Sequence, residues 1–262
     1  MSSGEMRKLS EEPPRKTIRR KLVHITLALM LLIPLTPAFV EGGARLMSDP
    51  YLVPLITYVV LAIGAAFVNS LQIKMPHYRE WFLSTFRDLR KRYMSQLRQV
   101  ASKSGSDVLA KQLSELDKLF DRVEDRLTKL ISELERDYEK RYGYVAITFA
   151  LLSIALSYAL YGPIVAYGIL ALAVVDGLTA ILTKLLPRPR VIKHSAPSLS
   201  ITFAVFAAIL ACIGCPPALA LALSAIAVVV EVLSPEDNLT LPIIVATAAY
   251  FLRAPPIPFL YH

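Results

Sequence analysis

Cysteine is nearly absent from this sequence, which contains only Cys212 and Cys215 in its 262 residues. The two form a C-x-x-C without a second pair and without a nearby histidine. A zinc site is therefore disfavoured, and a redox motif has no supporting context. Packing in the protein interior or a local disulfide accounts for the pair better, and the sequence leaves both open.

The sequence also lacks a glycine-rich loop of the kind that cradles phosphates, and it contains no internal repeat. The first absence excludes a P-loop nucleotide mechanism, and the second counts against a transporter built from repeated halves. A signal peptide is disfavoured as well. The apolar run 22–40 is long for the core of a signal and has no small-residue cleavage site after it. We expect this run to be retained as a membrane span.

Long apolar blocks dominate what is present. Hydrophobic residues make up 55% of the chain and the mean hydropathy is +0.49, which is too apolar for a soluble domain. The blocks predict an all-α, polytopic integral membrane protein with about seven transmembrane helices. They are residues 22–40, 51–73, 144–161, 163–186, 198–213, 216–233 and 239–252. The last run is the shortest, so six spans with a re-entrant 239–252 is the alternative.

The net charge of +8 is concentrated at the edges of the apolar blocks. Positive-inside topology and anionic headgroups explain this placement, and nucleic acid is not an expected partner. The opposite loops hold only Arg45 as a basic residue, so the basic side is predicted to be cytoplasmic, together with the N-terminus. In a prokaryote this multi-pass protein would lie in the plasma membrane. The predicted segments are a basic cytoplasmic segment 1–21, spans one and two in 22–73, a cytoplasmic insertion 74–143, and spans three to seven in 144–262.

The insertion is charged, and its apolar residues recur at alternating steps of four and three. This heptad seam is typical of coiled coils. The later series is Leu109, Leu113, Leu116, Phe120, Val123, Leu127, Leu130 and Leu134, and an earlier one is Phe82, Phe86, Leu89, Tyr93, Leu97 and Val100. The polar stretch 102–107 between them supplies a joint and an N-cap.

We therefore expect an antiparallel coiled-coil hairpin between spans two and three, with arms of about 40 and 50 Å. The excess seam on the longer arm requires a cover. The loops near the membrane, another protein, or a second copy bound through residues 76–142 would each provide it.

A dense polar cluster separates the last two apolar runs. Glu231, Glu236, Asp237 and Asn238 offer the hard oxygen ligands that Mg²⁺ prefers. A turn followed by a helix N-cap is the structural alternative. Asp176 interrupts an otherwise apolar run, where an unpaired carboxylate costs at least ~2.5 kcal/mol. Its structural alternative is an ion pair with a lysine such as Lys184.

Four short motifs resemble those of the CTP-dependent polyprenol kinase family, which includes dolichol kinase and phytol kinase. They lie in the same order along the chain. They are Arg20-Lys21-x-x-His24, Val175-Asp176-Gly177-Leu178-Thr179-Ala180, Lys193-His194-Ser195-Ala196-Pro197-Ser198, and Glu231 followed by Asp237-Asn238-Leu239-Thr240-Leu241-Pro242. In the third motif, Ala196 and Pro197 stand where the family usually has Glu and Gly.

The resemblance implies a Mg²⁺-dependent transfer of a phosphoryl group from CTP to a long-chain isoprenoid alcohol in the membrane. The alcohol would be of the dolichol, polyprenol, geranylgeraniol or phytol type. The implied catalytic residues are Asp176, Asp237 and Asn238, and the implied metal ligands are Asp237, Asp176 and Glu231. The residues expected to hold the nucleotide are Lys193, Ser198, Lys21 and His24.

Three other functions remain open at this point. A related lipid-alcohol or diacylglycerol kinase, or a phosphatidate-type cytidylyltransferase, would use the same kinds of residue. The third function is that of a membrane scaffold acting through its hairpin, in a homologue that has lost nucleotide handling. It is open because Ala196 and Pro197 depart from the family motif.

The loop charges generate a prediction about topology. With Cys212 and Cys215 replaced by alanine, a cysteine at Ser104 or Ser234 should react with a membrane-impermeant maleimide only from the cytoplasmic side. A cysteine at Asp49 should react only from outside. Labelling of intact and opened cells measures both, and reaction of Ser234→Cys and Asp49→Cys from the same side would show that the topology is wrong.

Overall fold

The computed structural model describes residues 14–47, 49–75, 78–103, 107–134, 145–186 and 190–260. The chain divides into two compact units, one formed by residues 1–66 and 145–262 and the other by residues 67–144. Residues 1–13 of the predicted basic segment 1–21 lie outside the described residues. The joint of the expected hairpin at 104–106 and its end at 135–143 lie outside them as well.

Over the described residues the fold is helical apart from one short antiparallel strand pair, as the apolar blocks predict. The helices before the insertion are α1 (Pro14–Met30), α2 (Pro37–Ala44) and α3 (Leu52–Lys74). The insertion contains α4 (Tyr78–Lys103) and α5 (Asp107–Leu134). The later elements are α6 (Val145–Tyr161), α7 (Val165–Ala171), α8 (Gly177–Leu185), β1 (Arg190–Val191), β2 (His194–Ser195), α9 (Ala196–Cys212), α10 (Pro217–Leu233) and α11 (Asp237–Phe251).

Within the described ranges, two helical stretches are long and apolar enough to cross a membrane, Leu52–Lys74 and Val145–Leu185. A third qualifies if the bent pair Arg15–Leu35 and Pro37–Ala44 is one span. The helices Ala196–Cys212 and Pro217–Leu233 are apolar but shorter. The expectation of an all-helical chain with membrane-spanning helices is thus confirmed in this coarser form, and the number seven stays a prediction.

The core of the first unit is built from apolar helix faces and fully buried aromatic side chains, among them Tyr58, Tyr158 and Tyr167. Each of these phenols donates a hydrogen bond to a backbone carbonyl: Tyr58 to Leu31 at 2.6 Å, Tyr158 to Tyr51 at 3.2 Å and Tyr167 to Pro255 at 2.8 Å. The hydroxyl groups of these three buried tyrosines are therefore all satisfied by hydrogen bonds. The large exposed Leu, Ile, Val and Phe side chains on the outer helix faces suit contact with lipid.

Helix α11 packs against both α6 and α7. The closest approach is at Gly168, where a Cβ would lie 2.2 Å from the carbonyl oxygen of Pro242. No side chain fits between the two backbones at this point, which explains a glycine in the middle of a helix despite its poor helix propensity. The crossing holds the start of α11 next to the rest of the unit.

The second unit contains the two antiparallel helices of the expected hairpin, α4 and α5. Charged side chains join them. Arg87 Nε donates to Glu124 Oε1 at 2.9 Å, Arg90 hydrogen-bonds Asp121, and Arg90 lies 3.5 Å from Glu124. Coiled-coil packing between the arms is not confirmed, because several members of the expected apolar seams, including Leu89, Phe120 and Val123, lie at exposed positions beside this charged contact.

The close crossing at Gly168 generates a stability prediction. Gly168→Ala should lower the stability of the protein in detergent by about 1–3 kcal/mol, because the methyl group meets backbone atoms that cannot turn away. Gly64→Ala is the matched control, since a Cβ at that mid-helix glycine has no atom within 4 Å. Thermal unfolding followed by circular dichroism compares them, and an unchanged midpoint for Gly168→Ala would contradict the packing.

Candidate functional site

Asp176 lies at the end of a π-helical segment, Leu172–Asp176, between α7 and α8. Such wide turns occur inside helices as local bulges and are frequent at functional sites. The carboxylate is buried, with a side chain that is 5% exposed. It faces α1, which supplies two basic residues one helical turn apart: Lys21 Nζ lies 2.5 Å from Oδ1, and His24 Nε2 lies 3.0 Å from Oδ2.

The contact between α1 and α8 is close because residue 177 is a glycine. A Cβ at Gly177 would lie 2.4 Å from Cγ1 of Ile25, inside van der Waals contact. Ile25 follows His24 directly, so the side chain that packs on Gly177 also fixes the rotation of α1 about its axis. The sequence Asp-Gly thus combines a carboxylate with the small residue that lets its cationic partners approach.

A second group of residues comes from the loop between α8 and α9 and from the junction of α10 with α11. Lys193 lies in the β1–β2 turn, and its Nζ donates to both oxygens of Asp237 at 2.7 and 2.8 Å and to the Ser234 carbonyl at 3.0 Å. The next residue, His194, brings Nε2 to 3.0 Å from Oε1 of Glu231. Glu231 lies near the end of α10 and is fully buried.

Three carboxylates from separate parts of the sequence therefore converge. Each of Asp176, Glu231 and Asp237 has an oxygen within 4.8 Å of an oxygen of the other two. Oxygens bound to one Mg²⁺ lie at most about 4.2 Å apart, so a slight closing of the cluster would satisfy the ion.

The hydrogen bonding of these oxygens is the test of whether a cation fits. Both Glu231 oxygens, Asp176 Oδ2 and Asn238 Oδ1 are buried and make no hydrogen bond with any described residue. His24 and His194 come close to two of these oxygens, but neither approach has hydrogen-bond geometry. The backbone carbonyl of Asn238 also lacks its usual helical hydrogen bond, because Pro242, four residues later, has no N–H. Glu231 Oε2 and Asn238 Oδ1 have no hydrogen bond and no histidine recorded beside them, which is what a hard cation requires, and the residues fit Mg²⁺.

The three acidic side chains of the cluster have different basic partners. Lys21 and Lys193 each contact one of the acidic side chains directly. Burial, with a smaller contribution from the neighbouring Lys193 ammonium, lowers the pKa of His194 to about 4. The imidazole is therefore neutral at pH 7 and does not compensate Glu231. Direct lysine contacts are thus made by Asp176 and Asp237, whereas Glu231 has a histidine beside it.

Polar side chains continue from the cluster along α8. Thr179 and Thr183 lie three and seven residues after Asp176. The Thr179 hydroxyl donates to Thr202 at 3.1 Å, and the Thr183 hydroxyl lies 2.8 Å from that of Ser198. Ser198 also donates to the Ser195 carbonyl at 2.7 Å. Its hydroxyl is thus engaged in joining α8 to the start of α9, and it has no recorded contact with the carboxylates.

The structure brings together seven of the eight residues singled out from the sequence: Lys21, His24, Asp176, Lys193, Glu231, Asp237 and Asn238. Ser198 is connected to them through Thr183, whose hydroxyl lies 3.3 Å from His194 Nδ1. The structural alternative for Asp176, an ion pair with a lysine, is what the structure shows, although the lysine is Lys21 and not Lys184. The capping alternative for Asp237 is also not supported, because Glu236 is the N-cap residue and both Asp237 oxygens accept from Lys193.

Sequence reasoning missed His194 and Thr183. His194 stands beside Lys193 in a motif that was examined, and the scarcity of histidine, four in the chain, was a usable signal. Thr183 could have been found from its spacing, since residues 176, 179 and 183 share one face of a helix.

No family model, curated protein or solved structure matches this chain. The functional argument therefore depends on the residues and their geometry.

The Lys21–Asp176 contact generates a prediction about stability. Lys21→Met should destabilise the protein by about 3–5 kcal/mol, because it leaves a buried carboxylate without its ammonium partner. Asp176→Asn in the same chain should restore much of this loss, since the remaining amide carries no charge.

Unfolding of the two single variants and the double variant gives the coupling energy. Lys184→Met, on the same helix as Asp176, is the matched control and should change little. A coupling near zero between Lys21 and Asp176, or a large effect of Lys184→Met, would contradict the pairing.

Proposed function

We propose that this protein is a multi-pass membrane enzyme that transfers a phosphoryl group from CTP to a long-chain isoprenoid alcohol. One observation carries the proposal. Four motifs that are spread between residues 20 and 242 and that resemble those of the polyprenol kinase family contribute side chains to a single buried cluster. Packing alone does not require three carboxylates, two lysines and two histidines to gather in an apolar bundle, where charged groups are costly.

The topology proposed for the enzyme has seven spans. As one straight helix, Val145–Leu185 would measure about 60 Å, twice the ~30 Å hydrocarbon thickness. Gly162, with a φ of +58°, followed by Pro163, interrupts this stretch and suits a turn between two crossings. With α1 to α2 as the first span and α3 as the second, α9, α10 and α11 complete the seven. Loop charges then place the cluster at the cytoplasmic face.

The cluster supplies what phosphoryl transfer requires, namely positioning and electrostatic stabilisation. Mg²⁺, held by Asp176, Glu231 and Asp237 with Asn238 beside them, would neutralise charge on the phosphates. Lys21 and Lys193 are fixed by their carboxylate partners, so their ammonium groups are already in place to attract a polyphosphate. His24 and His194 bring ring nitrogens to the same place, where they can orient an attacking hydroxyl or take its proton.

The membrane location fits the proposed acceptor. A long-chain alcohol keeps its hydrocarbon tail in lipid and its hydroxyl at the interface, which is where the ends of α8, α10 and the start of α11 would lie. The low polarity of the surroundings strengthens every electrostatic contact in the cluster. It also keeps water away from the phosphoryl group, so that an alcohol rather than water is phosphorylated.

The test is a transfer assay with protein in detergent, Mg²⁺ and a panel of isoprenoid and glycerolipid alcohols. CTP labelled at the γ-phosphate should label the lipid, whereas CTP labelled at the α-phosphate should not. Asp176→Asn and Asp237→Asn should each lower turnover by about 10²–10³-fold, because they keep the shape of the site and remove charge that acts on the phosphoryl group. Lys193→Ala should chiefly raise the KM for CTP.

Glu236→Gln is the matched control, because this acidic residue precedes Asp237 but is not one of the converging carboxylates. It should retain wild-type turnover. Transfer of the α label would mean cytidylyl transfer instead. Wild-type turnover in both Asp→Asn variants would defeat the site, and the absence of transfer from CTP or ATP by the wild type to any alcohol would favour a scaffold.

A further inference from the structure

The hydroxyl groups of Thr183 and Ser198 form a chain of hydrogen bonds that ends on His194. Thr183 Oγ1 lies 2.8 Å from Ser198 Oγ and 3.3 Å from Nδ1 of His194. It also accepts from the backbone N–H of Ser195 at 3.3 Å. His194, Ser195 and Ser198 are buried, so these polar groups must satisfy one another. The partners of each oxygen therefore fix where the few hydrogen atoms of the chain lie.

Ser198 is the end of the chain at which the direction of donation is set. Its hydroxyl donates to the backbone carbonyl of Ser195 at 2.7 Å, and a carbonyl can only accept. A hydroxyl has a single hydrogen, so Ser198 has none left for Thr183. Two hydroxyl oxygens at 2.8 Å need a hydrogen between them, and Thr183 must supply it. The Thr183 oxygen is therefore only an acceptor toward its other neighbours.

The ring of His194 is one of these neighbours. Because the hydrogen of Thr183 is used on Ser198, the 3.3 Å contact with Nδ1 is a hydrogen bond only if Nδ1 carries the hydrogen. A neutral imidazole has one N–H, so Nε2 then has a free lone pair. Nε2 is buried, makes no hydrogen bond with any described residue, and lies 3.0 Å from Oε1 of Glu231. The bare nitrogen thus faces the carboxylate cluster as an acceptor.

His24, the other histidine of the cluster, is held differently. Its Nε2 lies 3.0 Å from Asp176 Oδ2, and its side chain is 26% exposed, against 10% for His194. Within the ranges that the structure describes, no hydroxyl group holds the ring of His24. Its hydrogen can therefore move between the two ring nitrogens, whereas the hydrogen of His194 is fixed on Nδ1.

We propose that Thr183 is a positioning residue that holds His194 in the Nδ1–H tautomer, so that Nε2 accepts the hydrogen of the attacking alcohol hydroxyl. The contact with the alcohol rests on the proposed function. Phosphoryl transfer needs a group that orients the attacking oxygen, and an acceptor with one fixed lone pair is already in place before the alcohol binds. Since Nε2 lies beside Glu231, the hydroxyl is held next to the metal ligands.

Nitrogen NMR of the full-length protein in detergent, labelled with ¹⁵N in the histidine rings, tests the tautomer without any turnover. Protonated and bare ring nitrogens resonate far apart, and the signals lost in His194→Asn assign this ring among the four histidines. The wild type should show a protonated Nδ1 and a bare Nε2. Thr183→Val should shift the ring toward the Nε2–H form, because Nδ1–H loses its acceptor while Glu231 offers one to Nε2. Thr183→Ser should restore the wild-type form.

Thr179→Val is the matched control. Thr179 lies one turn earlier on α8, and its hydroxyl donates to Thr202 and not to a histidine. This variant should keep the wild-type tautomer, and circular dichroism checks that every variant is folded. A wild-type ring that is Nε2–H or doubly protonated would overturn the role of Thr183. An unchanged tautomer in folded Thr183→Val, or an equal shift in Thr179→Val, would overturn it as well.

The transfer assay tests the contact with the alcohol. His194→Asn keeps a donor for Thr183 and removes the Nε2 acceptor, so it should lower kcat by about 10²-fold, and Thr183→Val should lower it by about tenfold. The KM for CTP should stay within about twofold of the wild-type value in both variants. An unchanged kcat in His194→Asn would overturn this contact. If the wild type transfers nothing to any alcohol, the contact falls with the proposed function, and the NMR result still decides the role of Thr183.

Discussion

A carboxylate inside an apolar helix bundle requires a cation, and in this protein the pairing of Asp176 with Lys21 meets that requirement. The two residues are 155 positions apart, so the pair ties the first helix to the middle of the chain. It places His24, one turn further along α1, against the same carboxylate. It also explains why residue 177 is a glycine, since Ile25 packs where a Cβ would be. The Lys21–Asp176 contact and the close packing at Gly177 thus both contribute to the position of α1.

The second lysine does the same for the other half of the site. Lys193 binds Asp237 through both carboxylate oxygens and also the Ser234 carbonyl, which connects the β1–β2 turn to the junction of α10 with α11. Each lysine therefore joins two parts of the fold and, under the proposed function, would also face a polyphosphate. Breaking either pair exposes a buried charge, and mutational loss of activity must be separated from loss of stability. The unfolding measurements on the Lys21 and Asp176 variants and the Glu236 control serve this purpose.

The hairpin shows a different use of charge. Arg87 and Arg90 of α4 form a network with Asp117, Asp121 and Glu124 of α5, and Arg90 also lies over the Phe120 ring. This network occupies the contact between the arms that apolar residues would otherwise fill. Several described side chains of the apolar seams next to this network, including Leu89, Phe120 and Val123, are exposed.

The sequence by itself determined the helical class, the apolar blocks, the two arms of the insertion and most of the candidate site. Apolar block length and heptad spacing are local properties, and the costly residues, such as Asp176 in an apolar run, can be recognised without knowing their partners. Only the tertiary structure decided which residues those partners are. Asp176 pairs with Lys21 and not with Lys184, and Asp237 accepts from Lys193 instead of capping a helix. It also revealed His194 against Glu231, connected Ser198 to His194 through Thr183, and left described seam residues such as Leu89 and Phe120 exposed. These outcomes depend on distances between helices far apart in sequence, and a heptad pattern gives the direction of an apolar stripe without naming what it faces.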